Sequence, residues 1–345
     1  MKIASEGVAF LALSALFSAI IHSSAISSLK FEVTMQIAVI GAGNMGCVYG
    51  ANLARVGEQV ALIDVWEEHV RRIRTDGLRM DGLHGKFTVR VDAATDPVTA
   101  PKADVALVCV NAYATRDAAR TASVVLKACG YALTLQNGLG NVESLTEVLG
   151  AQRVLAGLSF HSGDLNAPGQ VTHTNAGPSY VGELDKSRTQ RLAALCEVME
   201  RAGLNPVPVD DIMAVIWSKF VHNCAINAIC AVTGVRPGHI HQVPELDEFQ
   251  THIINETLAL LKAKGITVPD SNPLETIKAY CAEKFHRPSM LQHLERGRLT
   301  EIDALNGYVA RESRKLGLAA PYNDALTNLM KGREYRPPDR ADSGS

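Results

Sequence analysis

Lys219, Asn223 and Asn227 recur at intervals of four in Ile216-Trp217-Ser218-Lys219-Phe220-Val221-His222-Asn223-Cys224-Ala225-Ile226-Asn227-Ala228. On a helix that spacing sets the three in one stripe on one face. Their neighbours Phe220, Val221, Cys224, Ala225, Ile226 and Ala228 are apolar, so much of the helix has to be buried. An ammonium and two carboxamides there can hydrogen-bond a bound polar group or give it a proton, and their donors must be satisfied somewhere. A solvated stripe would more often carry Glu, Lys and Arg, so the pattern reads as functional. His222 lies off the stripe and is explained by core packing. A second group comprises Arg287-Pro288-Ser289-Met290-Leu291-Gln292 and, after Gly297, Thr300-Glu301-Ile302-Asp303-Ala304-Leu305-Asn306. Ser289 with Gln292 and Thr300 with Asp303 match capping boxes, and Glu301 in a first turn suits the helix dipole. Periodicity alone reads both blocks as helix caps.

These residues need a framework, and Met35 to Val56 (MQIAVIGAGNMGCVYGANLARV) supplies its start. The apolar run Ile37 to Ile40 is of β type and ends in Gly41-Ala42-Gly43-Asn44-Met45-Gly46, which leads into a helical pattern. Strand, glycine turn and helix N-terminus come in the order a dinucleotide-binding βα turn requires; glycine-rich turns are common, and a purely structural turn is the other reading. Gly41 permits the turn, Gly43 lets backbone amides approach a pyrophosphate, and Gly46 lets the helix pack close to the strand. The next strand, Gln59 to Asp64, ends in a carboxylate 18 residues after Gly46. At that place an acid can hold both ribose hydroxyls of NAD; capping the following helix is the other use for it. Glu67 and Glu68 follow, and Arg71 and Arg72 are more than a helical turn away, so a 2′-phosphate would be repelled and the sequence leans to NAD over NADP.

The pattern continues with a helix over 66–76, a small hairpin over 78–91, a strand over 105–110, a helix over about 115–129 and a strand over 131–135. The last runs into Gln136-Asn137-Gly138-Leu139-Gly140. Ligands of open α/β sheets bind beyond the carboxyl ends of strands, which places Asn111 and Asn137 toward the nicotinamide end of the cofactor. Asn-Gly is equally a common turn dipeptide. Short strands over 153–184 and a helix over 187–202 follow, and Asn205-Pro206-Val207-Pro208 reads as a connector. Beyond it helical patterns run over 210–232, 245–264, 272–285, 289–296, 299–316 and 321–331. The fold class is therefore α/β: a Rossmann-type doubly wound dinucleotide-binding domain (35–205) followed by an all-α C-terminal domain (206–332), with a cleft between them and a disordered tail over 333–345.

Hydrophobic content of 47% and a net charge of −2 give no electrostatic case for nucleic acid or an anionic membrane surface. The 7 cysteines are scattered without any CxxC, as expected of reduced, mostly buried thiols in a cytoplasmic enzyme. Residues 1–34 read as an extension outside the fold. Val8 to Ile21 is apolar but shorter than the ~20 residues of a membrane span, and Lys2 before it and Ser23-Ser24-Ala25 after it would suit a secretory signal. An extension upstream of a start at Met35 fits the reduced, nicotinamide-dependent domain better. No metal site is expected: His239 and His241 form an H-x-H in a Pro/Gly-containing loop without acidic or cysteine partners at ligand spacing.

Taken together, GAGNMG, LQNGLGN, WSKFVHNCAINA and PSMLQHLERGRLTEIDALNGYV resemble the ketopantoate reductase (2-dehydropantoate 2-reductase) family, over nearly all of residues 35–331. The resemblance implies reduction of 2-dehydropantoate to pantoate by NAD(P)H, in pantothenate and coenzyme A biosynthesis. It matches Lys219 to the catalytic lysine and Glu301 to the catalytic carboxylate. It matches Asn137, Asn223, Asn227 and Ser289 to the positions that hold the substrate's carboxylate and hydroxyl groups. The implied partner is a small-molecule 2-oxo acid, with homodimerisation left open.

Two positions depart from the family pattern. Members often carry Lys where this chain has Asn111, and many have Arg or another phosphate-binding residue near Asp64. Both changes remove positive charge from the cofactor side. They lean toward NADH where the family's usual cofactor is NADPH, and they leave an NADH-dependent reductase of another branched 2-oxo acid as the alternative. A nucleotide-sensing protein without turnover would have no use for the Lys, Asn, Asn, Ser and Glu array.

Overall fold

A computed structural model describes residues 34–335. The extension assigned to 1–34, apart from Thr34, and the tail beyond 335 lie outside the described residues. In chain order the first part contains Gln36–Ile40 (β1), Asn44–Arg55 (α1), Gln59–Ile63 (β2), Glu67–Asp76 (α2), Leu78–Gly82 (β3), Phe87–Val89 (β4), Asp92–Ala94 (β5) and Ala103–Val108 (β6). Thr115–Val125 (α3), Leu126–Thr134 (β7), Asn141–Leu149 (α4), Val154–Ser159 (β8), Ser162–Ala167 (β9), Gln170–Asn175 (β10), Ser179–Glu183 (β11), Gln190–Arg201 (α5) and Pro206–Pro208 (β12) complete it. The rest is helical: Ile212–Thr233 (α6), Pro237–Gln242 (α7), Pro244–Ala263 (α8), Pro273–Ala282 (α9), Ser289–Glu295 (α10), Asn306–Lys315 (α11) and Pro321–Glu334 (α12).

The main sheet has the order β12-β11-β8-β7-β6-β1-β2-β5 and is parallel except where β11 meets β8. Helices cover both faces, which is why β1, β2 and β6 are near-continuous apolar runs. From β1 the chain winds outward to β2 and β5, then returns to place β6 on the other side of β1. The strand order reverses there, so a crevice opens between the loops after β1 and β6. A second sheet, β4-β3-β10-β9, packs against α1. The doubly wound α/β part followed by helices is the architecture expected.

α6 is long and apolar enough to cross a membrane by composition alone, but it lies at the centre of the helical core. Trp217, Phe220, Val221, Cys224, Ile226 and Ile229 are buried against α8, α9, α10 and α12.

Four readings need correction. The helix expected to reach Cys129 stops at Val125, because Leu126 begins β7 opposite Ala103 of β6 and Gly130 packs against the carbonyls of Ala103 and Asp104. The expected connector at 205–208 contains β12, which pairs in parallel with β11 at the sheet edge. An edge strand tolerates proline because one row of its amides needs no partner. His239 and His241 lie not in a loop but in α7, where His239 Nδ1 accepts the Arg236 amide and His241 meets Asp247. Finally, α12 runs to Glu334, past the expected limit of 332, and the Glu334 carboxylate holds the Thr300 amide at 2.7 Å.

Candidate active site

The glycine turn is built by close approach. The Gly41 amide donates to the Ile63 carbonyl at 2.8 Å, and Cys109 donates to the Ile40 carbonyl at 2.8 Å, so the turn sits between β2 and β6. A Cβ on Gly46 would lie 1.9 Å from the Gly41 carbonyl oxygen. At Gly43, by contrast, nothing stands within 4 Å of where a Cβ would be. Gly43 opens α1 with neither a side-chain cap nor an acid in the first turn. The first amides of α1 therefore face open space at the positive end of the helix dipole, which fits the pyrophosphate of a dinucleotide. Ala42 is buried and Met45 half-buried in the turn. The Asn44 carboxamide is engaged by the Leu165 amide of β9 at 3.2 Å.

Asp64 follows β2 and is half-buried. Its Oδ2 accepts the Ala42 amide at 2.7 Å and its Oδ1 the Trp66 amide at 2.9 Å. Trp66 stacks on His69 at 5.1 Å, and His69 Nδ1 accepts the Gly169 amide at 3.0 Å. That buttress joins the cofactor edge to the second sheet, and no spacing in the sequence marks it.

Across the crevice, α6 carries Lys219 to the carboxyl end of β8. Its ammonium donates to the Ser159 carbonyl at 2.6 Å and stands 4.6 Å from the centre of the Phe160 ring. Burial pushes the Lys219 pKa down to about 8, with the Glu301 charge acting the other way. Glu301 precedes the short 3₁₀ turn Ile302–Ala304. Its carboxylate accepts the Ala112 amide at 3.3 Å and a hydrogen bond from the Asn137 side chain. Burial raises the Glu301 pKa, while the Ala112 amide, Asn137 and Lys219 oppose that rise.

Asn137 belongs to a loop braced from both sides. Leu139 donates to the Ala304 carbonyl at 3.2 Å, and a Cβ on Gly138 would come within 2.8 Å of the same oxygen. Gln136 Nε2 donates to the Val110 carbonyl and to Thr115 Oγ1, both at 2.8 Å, tying the end of β7 to the loop after β6. Lys219, Glu301 and Asn137 thus come together beyond the carboxyl ends of β6, β7 and β8.

The other candidates are placed less tightly. Asn223 and Asn227 are half-buried along the Lys219 stripe, and among the described residues their carboxamides have no hydrogen-bond partner. Two free amides beside a half-buried ammonium are what an incoming carboxylate or hydroxyl would need. Ser289 is the exposed first residue of α10, and no contact brings it to Lys219. The capping box expected from Ser289 does not form, because Pro288 is the N-cap and Gln292 donates instead to the Arg287 carbonyl at 3.0 Å. Thr300 does not cap with Asp303 either: its hydroxyl donates to Glu334, and Asp303 pairs with Lys331. Asn111 donates to the hydroxyl of Tyr113 at 2.9 Å, and it is the amide of its neighbour Ala112 that reaches Glu301. His222 packs edge-on against Tyr280 at 4.4 Å, its pKa pushed down to about 4, first by burial and then by Lys219 and His286. The sequence does not mark Ser159, Phe160 or Ala112 as site residues; Gln136 leaves a trace, a polar residue closing an apolar strand. Among the described residues no group of three or more His, Cys, Asp or Glu side chains is placed to hold a metal ion.

Residues 37–186 match the sequence model of a family described as "Ketopantoate reductase PanE/ApbA", and residues 211–334 match its C-terminal counterpart. The 2-dehydropantoate 2-reductase of Halobacterium salinarum is 31% identical over 300 residues, covering 86% of this chain and 98% of that protein. The enzyme of that name from Pyrococcus horikoshii is 32% identical over 302 residues, covering 87% and 98%. Among solved structures, a PanE/ApbA family ketopantoate reductase from Ralstonia eutropha superposes with a TM-score of 0.81 at 31% identity, covering 87% of this chain and 98% of that one. D-mandelate dehydrogenase, in a ternary structure with NADH and anilino(oxo)acetate, superposes with a TM-score of 0.80 at 26% identity over the same shares.

Proposed function

The chain belongs to the ketopantoate reductase family, and on that premise we propose that its cleft reduces the C2 carbonyl of 2-dehydropantoate to give pantoate. The observation that carries the reading is the convergence of Lys219, Glu301 and Asn137 beyond the carboxyl ends of β6, β7 and β8, in the same sheet whose β1 leads into an open helix N-terminus. A bound, reduced nicotinamide dinucleotide would supply a hydride at that end of the crevice. The protein's share is to hold the carbonyl, polarise it and deliver a proton to its oxygen as the hydride reaches carbon.

Lys219 is the proton donor in this reading. Its ammonium spends one hydrogen on Ser159 and keeps two for the keto oxygen. Glu301, fixed by Ala112 and Asn137, sustains the ammonium and takes a hydrogen bond from a substrate hydroxyl. Asn137, Asn223, Asn227 and Ser289 are assigned to the substrate's carboxylate and hydroxyl groups. Gly41, Ala42, Gly43, Asn44, Met45 and Gly46 offer the backbone of the phosphate site, and Asn111 flanks the nicotinamide end. Asp64 beside the turn favours NADH. Its 7 free cysteines suit a reducing, cytoplasmic setting.

A second reading keeps the site and changes the substrate to another 2-oxo acid. It is favoured by Asp64 and Asn111 and by the likeness to D-mandelate dehydrogenase, whose structure holds NADH. The deciding experiment follows NADH and NADPH oxidation side by side with 2-dehydropantoate, branched 2-oxo acids and phenylglyoxylate. Turnover greatest with 2-dehydropantoate supports the first reading and turnover greatest with another acid the second. Cofactor binding without oxidation by any acid would overturn both.

A further inference from the structure

Phe160 is an aromatic residue left 44% exposed at the end of β8, yet its position is tightly determined. Its amide donates to the Pro178 carbonyl at 2.9 Å, and its own carbonyl accepts from Asn175 Nδ2 at 2.7 Å. Gly177 runs so close that a Cβ there would fall 2.6 Å from that of Phe160. Tyr180 meets the Phe160 ring edge-on at 6.1 Å. The residues on either side are pinned as well. Ser159 Oγ accepts from the Tyr49 hydroxyl at 2.9 Å and from the His161 amide at 3.0 Å. His161 is held through Nε2 to the Leu204 carbonyl and through Nδ1 to His173 Nε2, both at 3.0 Å. A carbonyl only accepts, so Nε2 of neutral His161 carries the hydrogen and Nδ1 receives one from His173. Burial lowers the pKa of both imidazoles, which keeps this arrangement neutral.

We propose that Phe160 is a positioning residue for the reaction: its ring face and the Ser159 carbonyl together hold Lys219 as an ammonium at the end of β8. The inference rests on the reading of Lys219 as proton donor. A half-buried lysine tends to lose its charge, and the negative face of an aromatic ring favours the charged form. The ring does this without net charge, whereas a second carboxylate at that point would repel an anionic 2-oxo acid. The titratable groups facing the ammonium are Glu301, from the segment before the 302–304 turn, and His222, on its own helix. Tyr280 and His286 stand against His222, and β8 and β11 contribute Ser159, Phe160 and Tyr180. Changing Phe160 replaces none of the titratable groups Glu301, His222, Tyr280 and His286.

The test compares the full chain with Phe160→Leu, Phe160→Met and Phe160→Tyr. Two pH titrations are read. One is competitive acylation of the Lys219 amine in the free protein, quantified by mass spectrometry; the other is kcat/KM for 2-oxo acid reduction. Loss of the ring in the Leu and Met variants should move both alkaline midpoints down by about half to one pH unit, and Tyr should restore the wild-type position. The fall in kcat should be smaller at pH 6, where the amine is protonated in every variant, than at pH 9, whereas a general disruption of the site would lower kcat equally at both. Acylation midpoints that coincide in wild type, Leu and Met would overturn the proposal. If wild type reduces no 2-oxo acid while the acylation midpoint still falls in Leu and Met, the functional reading fails and the positioning of Lys219 by Phe160 stands.

Discussion

The Asp64 carboxylate accepts the backbone amide of Ala42 at 2.7 Å, so the acid that ends the second strand is latched to the glycine turn itself. A 2′-phosphate brought to that edge would meet Asp64 and then Glu67 and Glu68 in the first turn of α2. At a few ångströms and an effective dielectric of about 20, one such repulsion amounts to a few kcal/mol before screening. The expected outcome is a kcat/KM at least about tenfold higher with NADH than with NADPH, which corresponds to ~1.4 kcal/mol. Asp64→Ser should narrow that ratio. A wild-type preference for NADPH would refute the role given to Asp64.

If Lys219 is the proton donor, its replacement should separate chemistry from cofactor binding. The lysine lies on α6, across the crevice from the glycine turn, and touches Ser159 and Phe160 rather than the turn. Lys219→Ala should therefore bind dinucleotide as the wild type does in a fluorescence or calorimetric titration. Turnover should fall by about 10²–10⁴-fold, the usual worth of a positioned proton donor. A variant that keeps its kcat would remove Lys219 from the mechanism.

Much of this was legible in the sequence because local chemistry and global fold agreed. The glycine turn needs particular backbone conformations and close contacts, which only glycine at 41 and 46 supplies, so its signature is written in residue type. The Lys219 stripe was visible because polar groups on an apolar helix violate the pattern around them. What stayed hidden depends on pairing partners distant in the chain. Leu126 to Cys129 continue a helical pattern, and only the register with Ala103 makes them strand. Thr300 looked like a cap because its true partner, Glu334, lies 34 residues away. Phe160 carries no motif; it matters because β8 ends where α6 presents a lysine.

The rate should depend on pH in a direction fixed by Lys219. Burial brings its pKa down to about 8, and in the proposed mechanism the acid form is the one that donates. As pH rises through that value the proton donor is lost, so kcat/KM for reduction should decline on the alkaline side with a midpoint near 8. Glu301 responds in the opposite sense: its raised pKa means that its charge, and its support of the ammonium, is lost sooner on acidification than for an exposed carboxylate. Initial rates from pH 5 to 10 at saturating cofactor would check both limbs. An alkaline limb near 10.5, the ordinary lysine value, would show the ammonium to be solvated rather than buried.

The same burial costs stability. An unfolded chain holds the Lys219 proton up to about 10.5, whereas the folded chain gives it up near 8. Between those values the unfolded state binds more protons, so stability rises with pH across that window and the deficit is fully present below it. A shift of that size converts at most to about 3 kcal/mol, and because the side chain is half-buried rather than sealed, on the order of 1–2 kcal/mol is the realistic share. Lys219→Met keeps the length of the side chain and removes the charge. It should be inactive yet more stable than wild type at pH 7, with a higher Tm, in spite of leaving the Ser159 carbonyl without its donor. The advantage should shrink as thermal scans move from pH 8 toward 10.5, where the wild-type lysine folds in neutral. A Tm difference that is absent at pH 7, or constant across the window, would show that the ammonium carries no burial penalty at this position.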